Sequence, residues 1–128
     1  YRFTCAIAEG FPIQLYGDGG ERDFTYVDDI ALGVVASLEP MGYEIINLGS
    51  DNPARITRVI SIIEKVLGNT AEVERLPRHA ADVQSTWADI NKAARMLNWR
   101  PQTGLEDGVT RAVEWYLEQR VWAKDIIA

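Results

Sequence analysis

The spacing of apolar residues along the chain predicts helices. The clearest runs over residues 56–67, where Ile, Val and Leu recur at intervals of three and four and Gly68 provides a stop signal. The same spacing predicts four further helices, over residues 2–9, 29–39, 89–97 and 103–117. Trp99 and Trp115 lie within or beside the last two helices, and we expect both to anchor the core there.

Polar residues at the predicted helix starts suggest where the N-terminal amide groups find partners. Asp28 and Asp89 each precede an apolar-periodic run and are therefore predicted N-caps. Thr103 and Glu106 are three residues apart, as the capping box requires of its hydroxyl and carboxylate. These residues are thus assigned to helix ends and not to chemistry.

Shorter apolar runs predict strands. They cover residues 12–16, 22–27, 43–49 and 71–76, with alternating or β-branched and aromatic side chains between glycine or proline residues. Residues 79–86 show no period and predict a loop. The mixture of helices and strands without a repeat or linker indicates one α/β region over residues 1–128.

The composition of the chain limits the classes of molecule that it is expected to bind. The chain has 128 residues, of which 47% are hydrophobic and 25% charged, so it can bury a core. Its net charge of −6 opposes nucleic-acid binding, although one or two well-placed arginines could still hold a small anion. No apolar run is long enough for a membrane helix, and we expect no membrane partner.

The sequence contains one cysteine and one histidine, and these counts indicate the redox compartment and the capacity for metal binding. Cys5 has no second cysteine to pair with, and His79 is the only histidine, so we expect no disulfide and no metal site. A reducing compartment, the cytoplasm, fits this usage. Because the chain begins with Tyr1 in a helical pattern, we expect it to be a fragment of a longer protein.

The stretch "LYGDGGERDFTYVDDI" at 15–30 looks at first like a nucleotide-binding glycine loop. A dinucleotide loop needs Gly-x-Gly-x-x-Gly between a strand and a helix, so that the helix N-terminus meets the pyrophosphate. Here Arg22 stands where the third glycine belongs, and a strand is predicted to follow. The glycines therefore predict a tight turn and not a Rossmann loop.

Arg22 follows this turn directly and has two interpretations. Its guanidinium could hold a diphosphate with two parallel hydrogen bonds. Spacing alone favours the other interpretation, a surface ion pair with Asp23, Asp28 or Asp29. Asp28 and Asp29 could also act as paired carboxylates in acid–base chemistry, although helix capping accounts for Asp28 more simply.

Two segments carry a family resemblance. "GDGGERDFTYVDD" and "ADINKAARMLNWRPQTGLEDGV", in this order, resemble the C-terminal part of extended short-chain dehydrogenase/reductases. The chain is most similar to NAD-dependent nucleotide-sugar epimerases and dehydratases, especially UDP-glucuronate and UDP-glucose 4-epimerases. The resemblance implies an α/β fold of about five helices and several short strands. Some strands, notably 43–49, would complete the Rossmann sheet of a missing N-terminal, NAD-binding region.

The resemblance implies six residues that contact a nucleotide sugar: Gln14, Tyr16, Arg22, Arg78, His79 and Asp82. The first two would lie along the nucleotide base. Arg22 would contact the diphosphate, and Asp82 the ribose. His79 stands where relatives often carry an Arg or Gln that reaches a phosphate, so either His79 or the neighbouring Arg78 would make that contact.

The resemblance also implies what this chain lacks. The family's chemistry needs a Tyr-x-x-x-Lys pair and a glycine loop for NAD, and no tyrosine here has Lys four positions on. We therefore expect no catalytic and no cofactor-binding residues in the chain, and no activity of the chain alone. The intact protein is expected to be a cytoplasmic homodimer that uses NAD to epimerise a UDP-sugar.

Other functions share the same binding half. A nucleotide-sugar dehydratase or decarboxylase would differ in acid–base residues outside this stretch. A member that has lost catalysis would serve as a binding or regulatory module. An unrelated small nucleotide-binding domain is a further alternative, weakened by the number of family motifs that occur in order.

Overall fold

The computed structural model describes residues 1–78 and 82–126, which form five helices and four short strands. The helices are α1 (Arg2–Glu9), α2 (Val27–Ala36), α3 (Ile56–Leu67), α4 (Asn91–Leu97) and α5 (Leu105–Ala123). The strands are β1 (Ile13–Tyr16), β2 (Glu21–Arg22), β3 (Ala54–Arg55) and β4 (Val73–Leu76). The predicted α/β class and the five predicted helices are confirmed.

The strands form two small sheets. β1 pairs in parallel with β4, so that Ile13 lies opposite Val73 and Tyr16 opposite Leu76. β2 pairs antiparallel with β3. On β1 the side chains alternate, with Ile13 and Leu15 buried and the two residues that follow them exposed, as a half-buried strand requires.

The main core lies between α1, α3 and α5. Its buried residues come from these helices and from β1: Ile7, Ile13, Val59, Ile60, Ile63 and Val113. The three- and four-residue spacing in α3 therefore marks a truly buried stripe. Gly10 and Gly68 end α1 and α3 in the left-handed conformation that glycine adopts without strain.

A smaller core lies beside α4. Ile90, Ala93 and Trp99 are buried there, and Leu48 packs against them. The Trp99 indole donates a hydrogen bond of 2.8 Å to the backbone oxygen of Asp29, which confirms Trp99 as an anchor.

The matching prediction for Trp115 is wrong. Its side chain is 45% exposed, because α5 turns Val113 and Tyr116 into the core instead. Trp115 packs edge to face on Trp122, with ring centroids 5.8 Å apart.

Two predicted helix caps are also wrong, and a third is displaced. α2 starts two residues before its expected start, with Tyr26 as N-cap, so Asp28 lies within the first turn and favours the helix dipole there. The capping box of Thr103 and Glu106 does not form. Gly104 occupies the N-cap of α5, and the Glu106 carboxylate binds Lys65 at 3.0 Å.

Asp89 keeps the predicted role from one residue farther out. Ile90 is the N-cap of α4, and the Asp89 carboxylate accepts a hydrogen bond of 2.9 Å from the Asn91 amide. The prediction for this helix start was therefore right in its chemistry and displaced by one residue.

Two predicted strands differ from the structure. The strand at 22–27 ends at Arg22, because the Asp23 carboxylate bonds to distant loops and the chain leaves the ladder. Within the described residues, 43–49 pairs with no strand, and Tyr43 is 90% exposed. Among residues 1–78 and 82–126, no helix combines the length and the apolar character that a membrane span requires.

Candidate functional site

The glycine stretch forms a tight turn between β1 and β2. Gly17, Gly19 and Gly20 all have positive φ angles, and the Gly19 amide donates to the Tyr16 oxygen at 2.9 Å. A methyl group at Gly20 would lie 2.6 Å from the Gln84 carbonyl oxygen, so this position requires glycine. The turn leads into a strand, which confirms that it is not a dinucleotide loop.

Residues 84–86 pack directly on this turn. The Glu21 amide donates to the Gln84 oxygen at 2.9 Å, and the Thr86 amide returns a bond of 3.2 Å to the Glu21 oxygen. Asp18 accepts from both the Gly20 amide and the Gln84 side chain, and these bonds lower the pKa of its carboxyl group. The turn and the later loop therefore form one polar surface.

Arg22 points from β2 across this surface to Asp82. Its Nη2 lies 2.6 Å from Asp82 Oδ1, and its Nη1 donates to the Glu21 oxygen at 2.7 Å. The two side chains are half-buried, with 24% and 34% of their surfaces exposed. The ion pairs considered for Arg22 with Asp23, Asp28 or Asp29 are therefore wrong, because the partner comes from 60 residues away.

Arg78 reaches the same place from the end of β4. Its Nη2 donates to the Asp82 backbone oxygen at 3.0 Å. A methyl group at Gly17 would lie 3.2 Å from the Arg78 Cβ, so the start of this side chain lies against the glycine turn. Arg22, Arg78 and Asp82 are thus brought together, whereas His79 lies outside the described residues.

Gln14 and Tyr16 lie on the exposed face of β1. Gln14 donates to Glu74 on the paired strand at 3.0 Å, and Tyr16 stands at the carboxyl end of β1 beside Gly17. The carboxyl ends of parallel strands are the usual place for ligands in α/β proteins. Tyr16 lies next to the two arginines, because it precedes Gly17, against which the Arg78 side chain packs. Gln14 lies two residues earlier on β1.

Asp23 has a structural role that the sequence did not reveal. Its carboxylate accepts the backbone amides of Ser50 and Ala88, each at 2.9 Å, and the Asp51 amide at 3.3 Å; the Ser50 hydroxyl also donates to it. Burial raises the pKa of this carboxyl, but these hydrogen bonds outweigh burial and lower it overall. The residue fixes the loop beside Arg22 to two other segments.

Gly49 shows how closely these segments approach. A methyl group there would lie 2.3 Å from the Ala88 Cβ and 2.9 Å from Asp23 Oδ2. The only signals in the sequence for this junction were an aspartate beside Arg22 and a glycine after an apolar run, and neither specifies a partner.

Two open cavities have linings that differ from the cluster of Arg22, Arg78 and Asp82. One of about 550 Å³ is lined by residues that include Glu21, Arg55 and Arg58, and another of about 250 Å³ by residues that include Phe24 and Thr103. Neither lining includes Arg22 or Asp82. Cavity volume therefore does not locate the candidate site, and the convergence of the charged side chains does.

Within residues 1–78 and 82–126, no cluster of three His, Cys, Asp or Glu side chains is arranged to hold a metal ion. The glycine turn does not fit the pyrophosphate of NAD in the Rossmann manner either, because it leads into β2 and the first amide of α3, that of Ile56, donates to the Gly20 oxygen at 3.2 Å.

Known proteins share both the sequence and the fold. No protein-family model matches the chain. A UDP-glucuronate 4-epimerase of Thermodesulfobacterium geofontis is 50% identical over 128 residues, which cover 98% of this chain and 40% of that protein. The chain therefore spans about 40% of the length of this relative.

Solved structures agree with this similarity. The UDP-glucuronic acid 4-epimerase of Bacillus cereus, in complex with UDP-glucuronic acid and NAD, matches with a TM-score of 0.84 and 35% identity. That match covers 92% of this chain and 39% of the other. A UDP-glucose 4-epimerase of Thermotoga maritima, solved with UDP-glucose, matches with a TM-score of 0.86 and 27% identity over 93% of this chain and 39% of the other.

Proposed function

We propose that this chain binds the nucleotide sugar. The premise is that the chain belongs to the NAD-dependent UDP-sugar 4-epimerases of the short-chain dehydrogenase/reductase type and corresponds to part of their length. The observation that carries the proposal is the convergence of Arg22, Arg78 and Asp82. They come from β2, from the end of β4 and from the following loop, and they meet beside the glycine turn.

The chemistry of this cluster suits a nucleoside diphosphate. Two guanidinium groups stand together on a chain whose net charge is −6, so they create a local site for an anion on an otherwise repelling molecule. The planar fork of Arg22 can donate two parallel hydrogen bonds to phosphate oxygens. The Asp82 carboxylate can accept hydrogen bonds from ribose hydroxyls.

Three further residues complete the proposed site. Tyr16, at the exposed end of β1, would lie along the base, with Gln14 behind it on the same strand. The second phosphate contact falls to Arg78 or to His79. Arg78 is favoured by its position, because its guanidinium already lies at the Asp82 backbone.

The proposed reaction of the whole protein is inversion at one sugar carbon through its transient oxidation by NAD. The residues of this chain would bind and orient the substrate for that step. Because the glycine turn does not fit NAD, the cofactor would be held by a part of the whole protein that corresponds to the stretch of the relatives outside this match. The chain alone is accordingly proposed to be inactive.

The remaining predictions concern the whole protein. Residues 43–49, which pair with no strand in the described chain, would extend the sheet of the NAD-binding part. The single cysteine, Cys5, favours a reducing compartment such as the cytoplasm. The homodimer implied by the family resemblance stays a prediction.

Replacement of Arg22 by Ala tests the proposed function. In the full-length gene product we expect Arg22→Ala to weaken UDP binding by about 2 kcal/mol, or roughly 30-fold, measured by titration calorimetry. Arg22→Lys should recover part of the loss, because it keeps the charge but not the fork.

The matched control is Arg55→Ala. Arg55 lies on the strand paired with β2, is largely exposed, and approaches Glu21 only to 3.6 Å. Its replacement should leave UDP affinity nearly unchanged. An Arg22→Ala protein that binds UDP as well as the control does would refute the phosphate-binding role.

A further inference from the structure

We infer that Asp82 determines ligand specificity by exchanging partners: it pairs with Nη2 of Arg22 in the ligand-free site and releases this group only to a nucleotide. This inference rests on the proposed function and adds a selection step to it. Pyrophosphate and other simple anions would be poor ligands, although they carry the group that Arg22 binds.

The pair is held from both sides. Arg22 Nη2 contacts Asp82 Oδ1 at 2.6 Å, while its Nη1 is fixed to the Glu21 backbone oxygen at 2.7 Å. Asp82 is held at its backbone oxygen, which accepts a hydrogen bond of 3.0 Å from Arg78. Nη1 and Nη2 of Arg22 are therefore both engaged, so an anion that binds Arg22 through these two groups competes directly with the Asp82 carboxylate.

Displacement by a simple anion leaves a half-buried carboxylate without its partner. The loss is modest because 34% of the Asp82 side chain is exposed, but the carboxylate is then uncompensated on a chain whose net charge is −6. The anion would also enter beside the carboxylate that it has displaced. Both effects oppose the binding of pyrophosphate.

A nucleoside diphosphate removes this penalty. Its phosphates take the Arg22 fork while its ribose hydroxyls donate hydrogen bonds to the freed Asp82 carboxylate. Each group of the original pair then has a new partner, so the exchange leaves neither charge unpaired. Asp82 therefore favours ligands in which a hydroxyl-bearing sugar lies next to the diphosphate.

The inference predicts opposite effects of one substitution on two ligands. In the full-length gene product, Asp82→Ala should bind pyrophosphate about threefold more tightly, the scale of a lost exposed ion pair. It should bind UDP about tenfold more weakly, because the ribose loses an acceptor that carries charge. Titration calorimetry with each ligand separately measures both changes.

The control is Asp18→Ala, which removes the same charge from the adjacent turn. Asp18 contacts the Gly20 amide and the Gln84 side chain, not Arg22. It should not produce opposite changes for the two ligands. If circular dichroism shows that either alanine variant is unfolded, Asp82→Asn and Asp18→Asn repeat the comparison with side chains of the same size.

The possible outcomes distinguish the partner exchange of Asp82 from the proposed function. Opposite changes confined to the Asp82 variants support the exchange. Changes in one direction for both ligands, equal behaviour of the two positions, or no change overturn it. If Arg22→Ala also leaves UDP affinity intact, the proposed function fails as well; if Arg22→Ala weakens UDP binding, only the exchange is lost.

Discussion

Two regions of the molecule have similar apolar content but are held in opposite ways. The core of α1, α3 and α5 encloses its apolar residues, and Ile63 is only 3% exposed. The region of α2 and residues 37–50 leaves most of its large apolar side chains in solvent, including Val35, Leu38, Tyr43 and Ile45. Ile46 and Leu48 of this region pack against the small core beside α4, and its other attachments to the rest are mainly polar.

Carboxylates carry much of that attachment. Asp29 is buried in the first turn of α2 and accepts the Thr103 amide at 2.9 Å. Asp23 holds the Ser50 and Ala88 amides. Gly33 lets α2 approach the small core closely, since a methyl group there would lie 3.1 Å from Nε1 of Trp99.

An apolar pattern therefore predicts a helix or strand but not the surface against which it packs. The apolar stripe of α3 packs against α1 and α5 within the same chain, whereas most large apolar side chains of α2 and residues 43–49 stay exposed. An exposed apolar surface of this kind is typical of a contact surface. It agrees with our proposal that residues 43–49 extend the sheet of the NAD-binding part.

Isoleucine occurs in both regions, and its replacement by alanine should have very different effects in the two. Ile63→Ala should lower the free energy of unfolding by about 3 kcal/mol, because it removes buried methyl groups and leaves a cavity. Ile45→Ala, at a side chain that is 70% exposed, should change it by less than about 0.5 kcal/mol. Urea denaturation of the 128-residue chain measures both.

Equal losses of unfolding free energy at the two positions would contradict this difference between the regions. They would show that Ile45 is buried in the chain in solution, and the surface around residues 43–49 would then need no further partner.

A smaller, pH-dependent effect is expected in the polar region. Asp23→Asn should cost about 2 kcal/mol at neutral pH, because a charged acceptor of several hydrogen bonds is lost. The folded pKa of Asp23 is lowered from 3.8, so its stabilisation is complete above that value and disappears as the pH falls through the folded pKa. The difference between wild type and variant should therefore shrink in acid.

Denaturation at neutral and acidic pH checks this, with hydrogen exchange of the Ser50 and Ala88 amides as a local readout. Asp28→Asn is the control, since Asp28 is exposed in the first turn of α2. A difference that stays constant from neutral to acidic pH would mean that the charge of Asp23 does not hold the two regions together.

The elements that the sequence predicted well are those fixed by local pattern. α1 and α3 follow from apolar spacing and from Gly10 and Gly68 at their ends, and β1 follows from alternation. The predicted strand at 22–27 fails after Arg22 because the hydrogen-bond partners of Asp23 lie far along the chain. No local pattern contains that information.

The candidate site shows the same limit. The turn and the six proposed residues were reached from motifs, but the Arg22–Asp82 pair joins positions 60 residues apart. Spacing alone favoured the nearer aspartates, and only the register of β1 with β4 and the packing of 84–86 on the turn bring Asp82 to Arg22. For Thr103, the capping pattern was present, but Gly104 took the cap position.

The most direct test of the central claim is a crystal structure of the full-length gene product with UDP. We predict that the Arg22 guanidinium leaves Asp82 and lies within about 3 Å of the diphosphate oxygens, with Asp82 at the ribose hydroxyls. A bound UDP whose phosphates lie elsewhere, with Arg22 still paired to Asp82, would contradict the account.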